Sequence, residues 1–119
     1  TDFTYGEAQT NKPAYSSKDT ATITFNLANT GEYDGYETVQ LYVKEMNPKV
    51  TRPAKELKAF KKMFVTAGNE TSVTLSLPIA DLAWFDEKLM NWVVNPGTYQ
   101  LAVGSSSRDI RKVAQIKVK

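Results

Sequence analysis

The sequence predicts an all-β sandwich. Apolar and polar residues alternate over several short runs, turns rich in Gly, Asn and Pro separate those runs, and no helical pattern exceeds one turn. Ile23, Phe25 and Leu27 form one alternating set, Val39, Leu41 and Val43 a second, and Val73, Leu75 and Leu77 a third. Tyr99, Leu101 and Val103 form a fourth. Ile116 and Val118 close the chain in phase, whereas Val113 is out of phase. A strand's side chains repeat every two residues, so each set lies on one face. Phe25, Leu41, Leu75 and Leu101 stand in the middle of their runs and are expected at the centre of the core.

Seven strands are expected near 3–8, 21–28, 37–44, 56–65, 72–77, 98–104 and 112–118. The turn signals between them are Asn29-Thr30-Gly31, Asp34-Gly35, Ala67-Gly68-Asn69 and Asn95-Pro96-Gly97. Gly and Asn tolerate positive φ, and Pro presets a turn. A short extra strand near 91–94 is expected to pair through the Asn95-Pro96-Gly97 turn. The stretch 78–85 opens on Pro78 and carries Leu82 and Phe85 at i, i+3, which reads as one helical turn near 79–85. The loop 45–56 is longer than a hairpin needs.

Composition narrows the function. A chain of 119 residues and 13.3 kDa makes one domain, 1–119. It folds to ~6,400 Å² of surface from ~19,000 Å², enough burial for a core without staples. There is no Cys to cross-link and no His to serve as general base or metal ligand, so no cofactor is expected. A net charge of +2 with interspersed signs is too mild for nucleic acid, and no apolar run suits a membrane. The chain opens on Thr1 rather than Met, and is read as an excised or processed piece.

Five motifs in order resemble a known family. They are Asn29-Thr30-Gly31 with Gly35, Glu37 and the run 39–43; Arg52-Pro53-Ala54-Lys55-Glu56-Leu57 with Phe60; the run 81–86; Trp92-Val93-Val94 with Pro96-Gly97; and the run 104–110. Together they resemble the fibronectin type III-like domain at the C-terminus of family 3 glycoside hydrolases, the β-glucosidases and β-xylosidases. The resemblance covers about residues 20–112. Two departures stand out: the family commonly has Gly where Ala59 stands and Pro where Ala67 stands. Leu57 and Phe60 are three apart, so alternation slips there, and Ala59 favours a bulge without positive φ.

The resemblance implies a seven-stranded fibronectin type III-like, immunoglobulin-like sandwich that is not an enzyme on its own. The family's nucleophile and acid/base residues lie in other domains. The partners implied are the catalytic domains of the parent glycosidase, with weak carbohydrate contact left open, and the compartment implied is secreted or periplasmic. The rival is a free-standing carbohydrate-binding or adhesion-type module. Interdomain contact candidates are Arg52, Pro53, Lys55 and Glu56 on the long loop, the aromatics Trp84, Phe85 and Trp92, and Arg108. Arg and aromatic side chains are the usual anchors of interfaces, and long loops often carry contacts.

Other clusters read more plainly. Asp81, Asp86 and Glu87 are the closest acidic group, but adjacent residues on an extended chain face opposite sides, unlike a glycosidase carboxyl pair. A solvated or capping turn suits them better. Ser105, Ser106 and Ser107 lack a base, and Arg108 and Asp109 suit local hydrogen bonds in a polar turn. Lys49, Arg52, Lys55, Lys58, Lys61 and Lys62 could meet an anionic polymer, or guard an exposed strand edge. Trp84, Phe85 and Trp92 could stack on a sugar, or pack in a core or interface. Asn69-Glu70-Thr71 is a glycosylation sequon on a turn, a pattern common by chance.

Overall fold

The structure, a computed structural model, describes residues 2–46 and 56–119. Its strands are β1 (Phe3–Tyr5), β2 (Gln9–Thr10), β3 (Ala14–Tyr15), β4 (Thr20–Asn29), β5 (Gly35–Glu45), β6 (Glu56–Val65), β7 (Glu70–Pro78), β8 (Trp84–Asp86), β9 (Asn91–Val93), β10 (Gly97–Ser106) and β11 (Asp109–Val118). In one sheet β4 is central, with β1 and β2 along one edge and β7 along the other. The second sheet runs β3-β11-β10-β5-β6, and β8 and β9 form a separate hairpin. The two sheets face each other as an immunoglobulin-like sandwich.

The core is the set that alternation marks. Phe25 and Leu75 from one sheet meet Leu41 and Leu101 from the other, and none is more than 3% exposed. Val113 is exposed, as its phase requires, while Ile116 and Val118 are buried. Lys58 is extra in the β5–β6 pairing, because Leu41 faces Ala59 and Tyr42 faces Leu57. This bulge forms without positive φ; among the described non-glycine residues only Met90 has one. A second irregularity, at Gly104, has a steric cause. A Cβ there would sit 2.0 Å from the Asp109 carbonyl oxygen, so only glycine fits.

Three expectations need correction. The first strand is not continuous over 3–8: β1 and β2 are separated at Gly6, and β3 then joins the other sheet, so the edge of the sandwich is shared out in short pieces. The helical turn spans only Ile79–Leu82, and Trp84 and Phe85 lie on β8. Leu82 is buried while Phe85 is partly exposed, so the i, i+3 pair shares no face. The extra strand pairs backwards with β8, not through Asn95-Pro96-Gly97. The reversal lies at residues 87–90, where Met90 adopts a φ of 51°.

Polar links made by Asn29 and Tyr5 tie the sheets together. Asn29, at the end of β4, is 1% exposed. Its Nδ2 donates to the carbonyls of Tyr33 (2.8 Å) and Val65 (2.9 Å), and its Oδ1 accepts from the Gly31 amide (3.0 Å). Its backbone also pairs with the 66–69 turn, through Asn69 O and the amide of Gly68, whose φ of 78° suits glycine. Tyr5 stacks on Phe25 with ring centroids 5.2 Å apart, and its hydroxyl donates to Glu37 across the sandwich at 2.9 Å. Burial, then the Glu37 hydrogen bond, pushes the Tyr5 phenol well above its ordinary value.

Asn29→Ala removes the partner of the buried Val65 carbonyl bond and of the half-buried bonds to the Tyr33 carbonyl and Gly31 amide. It should lower unfolding free energy in urea by about 2–4 kcal/mol. The Tyr5 shift has a definite sign. Its contribution is fully present below pH 10.0, the ordinary phenol value, and is lost as pH rises, because the unfolded chain then ionises while the folded chain does not. Denaturation of wild type and Tyr5→Phe at about pH 9 and about pH 11 checks this. Wild type should lose more stability across that interval, by up to about 1.4 kcal/mol per pH unit.

Candidate functional site

The exposed hairpin of β8 and β9 carries the aromatic candidates. Ile79 and Leu82 are buried beneath the 3-10 turn and anchor it, and the chain then leaves the sandwich as β8. Asp86 Oδ1 accepts from the Lys88 amide at 2.9 Å and caps the reversal, the role expected of that acidic cluster. Phe85 faces Trp92 across the pair, with centroids 5.5 Å apart and planes at 74°. Trp92 is 64% exposed, and Leu89 and Met90 are exposed beside it. Trp84 is turned the other way, and its buried Nε1–H has no acceptor among the described residues. A cleft of about 770 Å³ lies under the hairpin, lined by Trp84, Phe85, Leu89, Val94 and Pro96 among others.

The base of the hairpin is pinned to the sandwich. Asn95, 8% exposed, donates to Glu45 Oε2 at 3.1 Å, and the Tyr99 hydroxyl donates to the Asn95 carbonyl at 2.7 Å. Lys58 Nζ reaches the Asp81 carbonyl at 2.8 Å. These bonds set the hairpin at the end of the sandwich where β5 stops and β6 starts. Glu56 opens β6 and pairs with Lys58 at 3.4 Å. Arg52, Pro53 and Lys55 lie outside the described residues.

Arg108 is not part of this group. It sits in the β10–β11 turn, at the far end of a ten-residue strand, ~30 Å from the hairpin. Asp109 organises that turn, bonding Ser105 and accepting from Arg111 Nε at 2.8 Å. The Arg111 hydrogen bond, then that of Ser105, holds the Asp109 carboxyl below its ordinary value. The serines therefore belong to a polar turn.

The arrangement suits contact better than chemistry. Among the described residues no group of acidic side chains is placed to hold a metal. Phe85 and Trp92 meet edge to face, so they present no flat platform for a pyranose ring. The lysines of β6 line the edge of the five-stranded sheet. Lys61 reaches across to the Thr74 carbonyl at 3.4 Å, which suits the guarding of an edge.

One exposed group escapes the sequence reading: Tyr36 on β5, with Leu57, Phe60 and Phe64 on β6. The available signal was apolar residues at both parities of 56–65, the mark of a strand with two apolar faces.

Comparison with known proteins is consistent in kind. The fibronectin type III-like domain pattern matches residues 37–107. Thermostable β-glucosidase B of Acetivibrio thermocellus is 35% identical over 118 residues, covering 99% of this chain and 16% of that enzyme. An exo-α-(1→6)-L-arabinopyranosidase of Bifidobacterium longum is 42% identical over 97 residues, covering 82% of this chain and 13% of that enzyme. The crystal structure of a GH3 β-glucosidase from Bifidobacterium adolescentis superposes with a TM-score of 0.88 at 37% identity, over 98% of this chain and 17% of that one. The chain thus spans about one-sixth of the length of such relatives.

Proposed function

The chain belongs to the fibronectin type III-like domain family, and on that premise we propose that it is the non-catalytic accessory domain of a family 3 β-glycosidase, a β-glucosidase or β-xylosidase. In this reading it packs on the catalytic domains and stabilises their arrangement. The observation that carries it is the pattern of coverage: nearly the whole chain aligns with only 16% of a β-glucosidase. The chemistry agrees. The chain has no His, and Asp86, of the acidic cluster 81–87, caps a turn.

The contact region proposed is the hairpin end, with Trp92 and Phe85 as anchors and Glu56 at the start of β6; Arg52, Pro53 and Lys55, outside the described residues, are proposed as contacts on the strength of the sequence alone. Trp92 is a large side chain left in water, and Trp84 holds a buried donor that an acceptor from outside the described residues would satisfy. An unmet buried donor costs about 1–3 kcal/mol, so such an acceptor stabilises the docked form. Arg108, on the far turn, would serve as a separate contact.

Mixing this chain with the separately expressed remainder of the parent polypeptide tests the reading. The two should bind, and the chain alone should hydrolyse no aryl glucoside or xyloside. Trp92→Ala should change the unfolding free energy of the chain by no more than about 0.5 kcal/mol, as exposed substitutions do. It should weaken docking about tenfold or more, the usual effect of losing an interface anchor. Turnover that persists through repurification would overturn the non-catalytic assignment, and absence of binding would overturn the accessory one.

A further inference from the structure

The outer faces of the two sheets differ in kind. On the four-stranded sheet, β4 turns Thr22, Thr24 and Asn26 outward and β7 turns Ser72, Thr74 and Ser76 outward. The hydroxyls of Thr24 and Thr74 lie 3.0 Å apart. That face is built for water. The outer face of the five-stranded sheet is not. Leu57, Tyr42, Ala102 and Val113 form one cross-strand row over four strands. Phe60 lies in the next row, 70% exposed. Tyr36 and Phe64 pair at the far end with centroids 4.9 Å apart, and both are more than half exposed. The bulge at Lys58 causes this, because it brings Leu57 and Phe60, three apart in sequence, onto the same side.

Charge on this face has one sign. Lys44 and Lys62 are the charged side chains paired into its cross-strand rows from Tyr36 to Lys44, with no Asp or Glu paired among them, and Lys117 stands one row further on. Lys62 itself lies over the Tyr36 ring at 4.6 Å. A two-fold contact between copies sets each surface against itself, so its only charge–charge encounters would be lysine against lysine. The apolar lane also measures only about 14 by 20 Å, from strand spacing and rise. That is well below the ~800 Å² per partner of a stable association between separate molecules. A neighbour tethered in the same polypeptide, at millimolar effective concentration, needs far less area.

We propose that the outer face of the five-stranded sheet, centred on Phe60, is an interdomain docking surface, covered by an apolar patch edged with carboxylates on another domain of the same polypeptide. The inference rests on the accessory-domain reading but names a face outside the hairpin end.

The chain contains no Cys, so a single introduced thiol reports local cover. F60C and W92C are placed both in the isolated chain and in the full-length parent polypeptide, and alkylation at each site is followed by peptide mass. F60C should label at least tenfold more slowly in the full-length polypeptide than in the isolated chain. K62E added to F60C should speed labelling in the full-length polypeptide more than K62Q does. Equal F60C rates with W92C protected would overturn the sheet-face proposal and leave the accessory reading standing. Equal rates at both sites would overturn both. Concentration-dependent protection of F60C in the isolated chain, with a dimer mass in sedimentation, would show that a second copy is the occupant and overturn the proposal. K62E without effect would overturn the acidic character of the partner.

Discussion

The buried amide of Asn29 is the constraint on which the upper end of the sandwich depends. A polar side chain at 1% exposure must satisfy its hydrogen-bonding groups within the protein. Here they are met by Gly31 and Tyr33 on one loop and by Val65 at the end of β6 in the other sheet. The side chain therefore holds the two sheets in one relative position. Gly35 pairs with Val65 directly beside it, so the β5–β6 register starts from this point. The Tyr5–Glu37 hydrogen bond, on the neighbouring strands, adds a second crossing from sheet to sheet.

The lower end is closed differently. Glu45, Asn95 and Tyr99 form a chain of hydrogen bonds around the start of β10, and Lys58 ties β6 to the 3-10 turn. This leaves the β8–β9 hairpin rooted but extended, its rings packed on each other more than on the core. A short hairpin gains little stability by itself in water, so rooted bases and outside contacts matter to it. The same strand junction, shifted by the Lys58 bulge, turns Leu57, Phe60 and Phe64 of β6 outward. The hairpin and the β6 side of the sheet face are thus two places where large apolar side chains stay outside the core.

Relatives of this domain occur in enzymes named for different sugars, a β-glucosidase and an L-arabinopyranosidase among them. In this chain Asn29, Gly104 and the core rows serve the fold. Several side chains left in water, Phe60 and Trp92 among them, are large and apolar. Large exposed apolar groups gathered in patches mark contact surfaces, whereas isolated ones do not.

The sequence by itself determined the sandwich and its core. Period-two alternation sorts Phe25, Leu41, Leu75 and Leu101 onto inward faces wherever the opposite parity is polar, because one slipped residue would expose the whole set. It also marked the Gly68 turn between strands. Only the tertiary structure decided the rest. The runs 84–86 and 91–93 are too short for pattern to choose a pairing partner, and the reversal at Met90 chose it. Asn29 reads locally as a turn residue, and nothing nearby in sequence reveals that Val65 will bond it from 36 residues away. In β6 both parities are apolar, so alternation cannot say which face is buried. The bulge at Lys58, set by pairing with β5, decided that Phe60 and Phe64 face outward.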